Sequence, residues 1–176
     1  MPRRLIIDAS IARASSGEHA VYPTSMRCRD CLMEISDHRH RMVMTPELRA
    51  EWDRHQSNFA LQWRASMQRR GRVIPVDAAL DDKLRDRIKA MAETEQQREA
   101  IAKDLHLVAA ARLPDRTILS LDEAMRHLLR RASRQVRELR PIVWANPDRE
   151  EEAVPAWIRT GARSAPQRRL GHQNEP

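Results

Sequence analysis

The chain has 176 residues and a net charge of +7, a length that fits one domain with a sizeable core and a charge that suits an anionic partner such as nucleic acid. Of the 32 basic residues only Lys83, Lys89 and Lys103 are lysines, and the arginines are spread along the chain, so charge alone does not establish nucleic-acid binding. Cys28 and Cys31 are the only cysteines, which excludes a disulfide framework; four glycines leave no dinucleotide fingerprint or Walker loop; and the lack of an apolar leader or membrane-length run predicts a soluble, cytoplasmic protein with no membrane partner.

In chain order, residues 3–9 form a short apolar run of strand type, followed by the turn-like Ser15-Ser16-Gly17. Residues 24–38 read as a helix and 41–45 as a second strand. Thr45-Pro46-Glu47 announces a helix, with Thr45 as N-cap, Pro46 at the first helical position and Glu47 near the positive end of the dipole. That helix is predicted to run to about Arg70, burying Leu48, Trp52, Phe59 and Trp63, until Gly71 stops it.

Val73-Ile74-Pro75-Val76 is a weak strand because of its proline. Leu80, Leu84, Ile88 and Met91 recur at helical spacing, and after a polar stretch from Glu93 to Glu99 a further helix ends near Leu113-Pro114. Residues 116–120 form a third strand, and Ser120-Leu-Asp-Glu123 fits a capping box opening a helix to about Arg140. Pro141-Ile142-Val143-Trp144 reads as a last strand, and beyond Pro147 the polar chain is expected to be a flexible tail, 148–176. Strands alternating with helices imply an α/β domain with a mainly parallel sheet and right-handed crossovers.

Four acids sit where strands end or helices begin: Asp8, Glu47, Asp104 and Asp122. Ligands of open α/β sheets bind beyond the carboxyl ends of the strands, and like charges gathered there call for cations. Taken singly, each acid also fits a structural role, Glu47 and Asp122 as first-turn residues stabilising a helix dipole.

Leu5-Ile6-Ile7-Asp8-Ala9-Ser10, then Thr45-Pro46-Glu47, then Asp104-Leu-His-Leu-Val-Ala-Ala-Ala111, then Ser120-Leu-Asp122 resemble, in order, the signatures of the PIN-domain family. The resemblance covers residues 3–147 and implies a three-layer α/β/α PIN-like domain over 1–147, with 71–103 as an extended helical insertion. It further implies a metal-dependent endoribonuclease for single-stranded RNA, whose Asp8, Glu47, Asp104 and Asp122 hold Mg²⁺ or Mn²⁺ while Ser10 and Ser120 position water or phosphate. Many members are toxins of toxin–antitoxin pairs, so an antitoxin-like protein partner and a homodimer are compatible with it. Some relatives bind without cutting, which leaves a non-catalytic RNA- or protein-binding module as the alternative.

Other features have plainer readings. Cys28-Arg-Asp-Cys31 with His38 and His40 is expected to be ordinary cysteine and histidine, because structural zinc wants four well-spaced ligands. Trp52, Phe59 and Trp63 are expected in the core and not as a base-stacking platform. The arginine-rich stretch Arg126 to Arg140 is expected to be a solvated helix face sooner than a phosphate track.

Overall fold

The computed structural model describes residues 1–16, 22–112 and 115–172; the expected turn at Gly17 and the helix end at Leu113-Pro114 lie outside the described residues. Its centre is a five-stranded sheet of β1 (Arg4–Ile7), β2 (Arg41–Met44), β3 (Val73–Pro75), β4 (Thr117–Leu119) and β5 (Val143–Ala145), in the order β3-β2-β1-β4-β5. Every pairing between these strands is parallel; β1, β2, β4 and β5 are buried almost throughout and read as short apolar runs instead of alternating ones, while the edge strand β3 is only half-buried. Leu5, Ile6 and Ile7 are essentially inaccessible to solvent.

Parallel neighbours require crossovers, and the helices provide them. Between β1 and β2 come α1 (Ala9–Ala14) and α2 (Pro23–Asp37); between β2 and β3 come α3 (Pro46–His55) and α4 (Asn58–Arg69). Between β3 and β4 come α5 (Asp82–Lys89) and α6 (Glu95–Ala111), and α7 (Glu123–Ala132) joins β4 to β5. Helices α1 to α4 pack among themselves and α5, α6 and α7 do likewise, giving the α/β/α layering. Among the described residues no helix is long and apolar enough to cross a membrane.

Several boundaries differ from the sequence reading for local reasons. The single helix expected over 46–70 is two: Gln56 ends α3, and the Ser57 hydroxyl accepts the Ala60 N–H at 3.1 Å to cap α4. The polar stretch before Glu99 belongs to α6, because Thr94 caps it through the Gln97 N–H at 3.1 Å while the Gln97 amide oxygen accepts the Glu93 N–H at 2.8 Å. Helix α7 stops at Ala132, and a 3-10 turn at Arg137–Leu139 leads into β5. The segment expected as a flexible tail holds α8 (Val154–Arg159), which packs on α2, with Val154 and Ile158 fully buried. Further on, the Leu170 N–H donates to the Ile142 carbonyl at 2.8 Å, beside an antiparallel bridge between Val143 and Arg169.

Trp52 and Trp63 belong to the core, as their spacing suggested, with Phe59 half-buried against it. Trp52 Nε1–H donates to the Ile7 carbonyl at 2.8 Å, tying α3 to the carboxyl end of β1, and its ring lies 6.1 Å from that of Trp63. Cys28 and Cys31 are buried and free, the Cys28 thiol pushed up to about 12 by burial and by Asp148. The two histidines have partners elsewhere: His38 lies 3.1 Å from Glu34, and His40 Nε2 contacts the Ile158 carbonyl at 3.0 Å.

Candidate active site

The sheet order reverses direction between β1 and β4, since the chain leaves β1 for β2 on one side and returns to β4 on the other. The crevice beyond the carboxyl ends at such a switch point is where open α/β sheets bind ligands. Asp8 directly follows β1 and Asp122 follows β4 by three residues. Both line a cleft of about 210 Å³ there, with Ser10, Arg13, Glu51, Arg54, Lys103 and Asp104 among its other walls.

A hydrogen-bond clamp joins the two strand ends. The hydroxyls of Ser10 and Ser120 both donate to Asp8 Oδ2, at 2.5 and 2.7 Å. Each hydroxyl also accepts a backbone N–H from the turn after β4, Ser10 from Leu121 at 3.2 Å and Ser120 from Asp122 at 3.1 Å. One carboxylate oxygen is thereby held by two donors that are themselves oriented, which fixes the side chain of Asp8. Asp122 is the N-cap of α7, its Oδ1 accepting the Met125 N–H at 2.8 Å, so its capping and site roles coexist.

Asp104 arrives differently from the expectation that it opens a helix. It lies well inside α6, which begins at Glu95, and reaches the cleft from the helix flank. Burial, then the charges of Asp8 and Asp122, push its carboxyl up to about 6, against smaller opposing effects of His106 and Lys103. That coupling is the electrostatic sign that three aspartates from three separate elements face one space.

Glu47 does not join them. It is exposed in the first turn of α3 and is not among the residues lining the cleft. Its place on α3 is taken by Glu51, one turn further along the same flank. The sequence carries a signal for this, because positions four apart share a helix face. Glu51 in turn faces His106, whose Nε2 lies 3.4 Å from Glu51 Oε2, within ion-pair range but outside good hydrogen-bond geometry.

Burial opposes the charge on His106, but the neighbouring Glu51 outweighs it and the imidazole pKa is raised; burial likewise opposes ionisation of Glu51, and His106 outweighs it and lowers the glutamate. A raised histidine adds stability that is complete below its unfolded pKa and is lost as pH climbs through the folded one. In metal-free protein, Glu51→Gln is expected to lower the His106 pKa, since burial is then opposed only by the Lys103 carbonyl and the charge of Asp104. Titration of the imidazole by NMR reads this directly, and an unchanged midpoint would show that the pair does not form.

The donor set consists of carboxylate and hydroxyl oxygens, the hard ligands that suit Mg²⁺ or Mn²⁺. Among the described residues no three Asp, Glu, His or Cys side chains converge closely enough to hold one ion. Mg²⁺ usually keeps several waters and takes one or two carboxylates, so an open group of three fits such an ion without closing around it. Arg13, Arg54 and Lys103 place positive charge beside the acids, as a phosphodiester would require. A scan against protein-family models and searches of curated proteins and of solved structures found no match for this chain.

Proposed function

We propose that the chain is a metal-dependent endoribonuclease that hydrolyses phosphodiester bonds of single-stranded RNA at the cleft of Asp8, Asp104 and Asp122. The observation that supports this most is the raised carboxyl of Asp104, half-buried beside two other aspartates at the switch point. Mutual repulsion of that kind is maintained only at a cost in stability, and a divalent cation removes it. Asp8, Asp104 and Asp122 would hold Mg²⁺ or Mn²⁺, with Glu51 in reach on α3 and Glu47 left outside.

When bound, the ion would supply charge neutralisation to the phosphodiester and acidify an attacking water. The chain's own residues do the positioning. Ser10 and Ser120 occupy Asp8 Oδ2, which leaves Oδ1 to face the ligand. Arg13, Arg54 and Lys103 attract and orient the strand's phosphates from the rim. The open spacing of the aspartates favours a second reading, an RNA-binding module that does not cut.

Incubation of an unstructured RNA with the protein and Mg²⁺ or Mn²⁺, with and without EDTA, separates the two. The expected result is cleavage that EDTA abolishes. Cleavage indifferent to chelator would overturn the metal-dependent mechanism, and binding without cleavage would establish the second reading.

A further inference from the structure

Helix α7 does not present the solvated arginine face that its sequence suggested. Arg126 is only 5% exposed, held by Glu123 at 3.1 Å and by Glu152, whose other oxygen takes Arg168 at 3.1 Å. Arg149 engages Glu123 at 3.2 Å and also Glu151. These residues and Arg130 surround a pocket of about 450 Å³ between α7 and the C-terminal segment.

All three glutamates of the pocket are therefore matched by arginines, and Arg130 is the cation left over. Among the described residues it has no carboxylate partner, only the Gln167 carbonyl at 3.4 Å. The Nε–H groups of Arg126 and Arg130 are both buried without an acceptor. Those two nitrogens are closed off from solvent, so it is the unpaired charge of Arg130 on the pocket wall that suits an anion with several oxygens. Burial, then the charge of Arg126, presses the Arg130 pKa down against the opposing charges of Glu152 and Glu123, a pressure that an anion relieves.

The pocket and the cleft also each share a wall residue with a third depression. A trough between α6 and α7 is lined by Asp122, Met125, Leu128 and His127; Asp122 belongs as well to the cleft and His127 to the arginine pocket. From Asp122 to Arg130 the helix rises about 12 Å, a span that a few nucleotides cover. Buried Met125 and Leu128 give the trough an apolar floor.

We propose that the pocket formed by α7 and the C-terminal segment binds a backbone phosphate of the RNA strand that continues along this trough from the aspartate cleft, with Arg130 as its contact. The identity of the strand rests on the ribonuclease reading; the phosphate site itself does not need catalysis.

The test uses the full chain in EDTA, with fluorescence anisotropy of a labelled oligouridylate dodecamer across a salt titration. Arg130→Gln is expected to weaken binding about 5–10-fold and to lower the slope of log K against log salt by about 0.7, the loss of one phosphate contact on a single strand. Arg130→Lys should keep the slope, and Arg69→Gln, an equal change of net charge at an exposed position outside these walls, should leave both nearly unchanged. Equal losses in Arg69→Gln and Arg130→Gln would overturn the site, as would no loss in Arg130→Gln or no dodecamer binding by the unaltered chain. Calorimetry with inorganic phosphate adds a further arm: phosphate binding that depends on Arg130, with dodecamer affinity unaffected by Arg130→Gln, would overturn the strand assignment in favour of a free-anion site. A dodecamer held through Arg130 but never cut with metal present would overturn the ribonuclease reading and leave this site standing.

Discussion

Replacing Asp8 with asparagine is expected to slow RNA cleavage on the order of 10²–10³-fold while leaving the fold intact. Asparagine keeps the shape of the side chain, and its amide oxygen can still accept from Ser10 and Ser120, whose hydroxyls hold Asp8 Oδ2 at 2.5 and 2.7 Å. Only the charge is removed. An ion held at a reacting phosphate is worth several kcal/mol of transition-state stabilisation, and each ~1.4 kcal/mol is a factor of ten in rate. Calorimetry with Mn²⁺ on the same variant should show much weaker binding than the unaltered chain, with a melting temperature no lower. Equal Mn²⁺ affinity, or a rate within about threefold of the original, would remove Asp8 from the site.

Asp104→Asn should raise the stability of the metal-free protein above pH 6 and leave it unchanged near pH 3. In the folded chain this carboxyl is pushed up from 3.8 to about 6, so the folded state holds on to a proton that the unfolded state has already released. Between those two values the original chain therefore loses stability as pH rises, and the full penalty stands above the upper one. A pKa unit corresponds to ~1.4 kcal/mol; allowing for screening of a partly exposed group, the penalty is about 1–2 kcal/mol. For a chain of this size that is a melting-temperature gain of about 2–8 °C. Asparagine and aspartate have similar helix propensities, so the change isolates the charge. Adding Mn²⁺ should shrink the difference. A gain that persisted at pH 3, or no gain at pH 7, would mean that burial and the neighbouring aspartates place no such penalty on the Asp104 charge. Asp122→Asn is a less clean probe, because Asp122 also caps α7 through the Met125 N–H and loses a favourable dipole interaction with its charge.

The parts of this structure that were readable in the sequence are those set by local chemistry. The apolar runs at Leu5-Ile6-Ile7 and Thr117-Ile118-Leu119 are buried strands, and Asp8 and Asp122 stand at their ends because those runs stop there. Thr45-Pro46 opens α3 as expected, with the Thr45 hydroxyl accepting the Leu48 N–H at 3.2 Å. What periodicity hides is which turn of a helix meets the cleft. Glu47 and Glu51 are equivalent by sequence pattern, and the Trp52 bond to Ile7 brings the later turn inward. Asp104 was placed by family resemblance, and its position inside α6 depends on a cap at Thr94 that a polar stretch disguised. Arg126 and the C-terminal segment were misjudged for one reason: each is buried by the other through Glu152, and a contact between distant segments leaves no local trace.

The pairing of β1 with β4 also has a bearing on how the protein comes into being. Ser120 and Asp8 are 112 residues apart in the chain, yet their bond helps to fix the Asp8 carboxylate. A ribosome makes the β1 end first, at roughly 5–20 residues per second, so a nascent chain carries Asp8 and Ser10 for several seconds before Asp104, Ser120 and Asp122 exist. Distant parallel pairing is also slow to form once the segments are available. Whatever chemistry the cleft performs therefore waits until β4 and the turn carrying Asp122 have been made and have paired with β1.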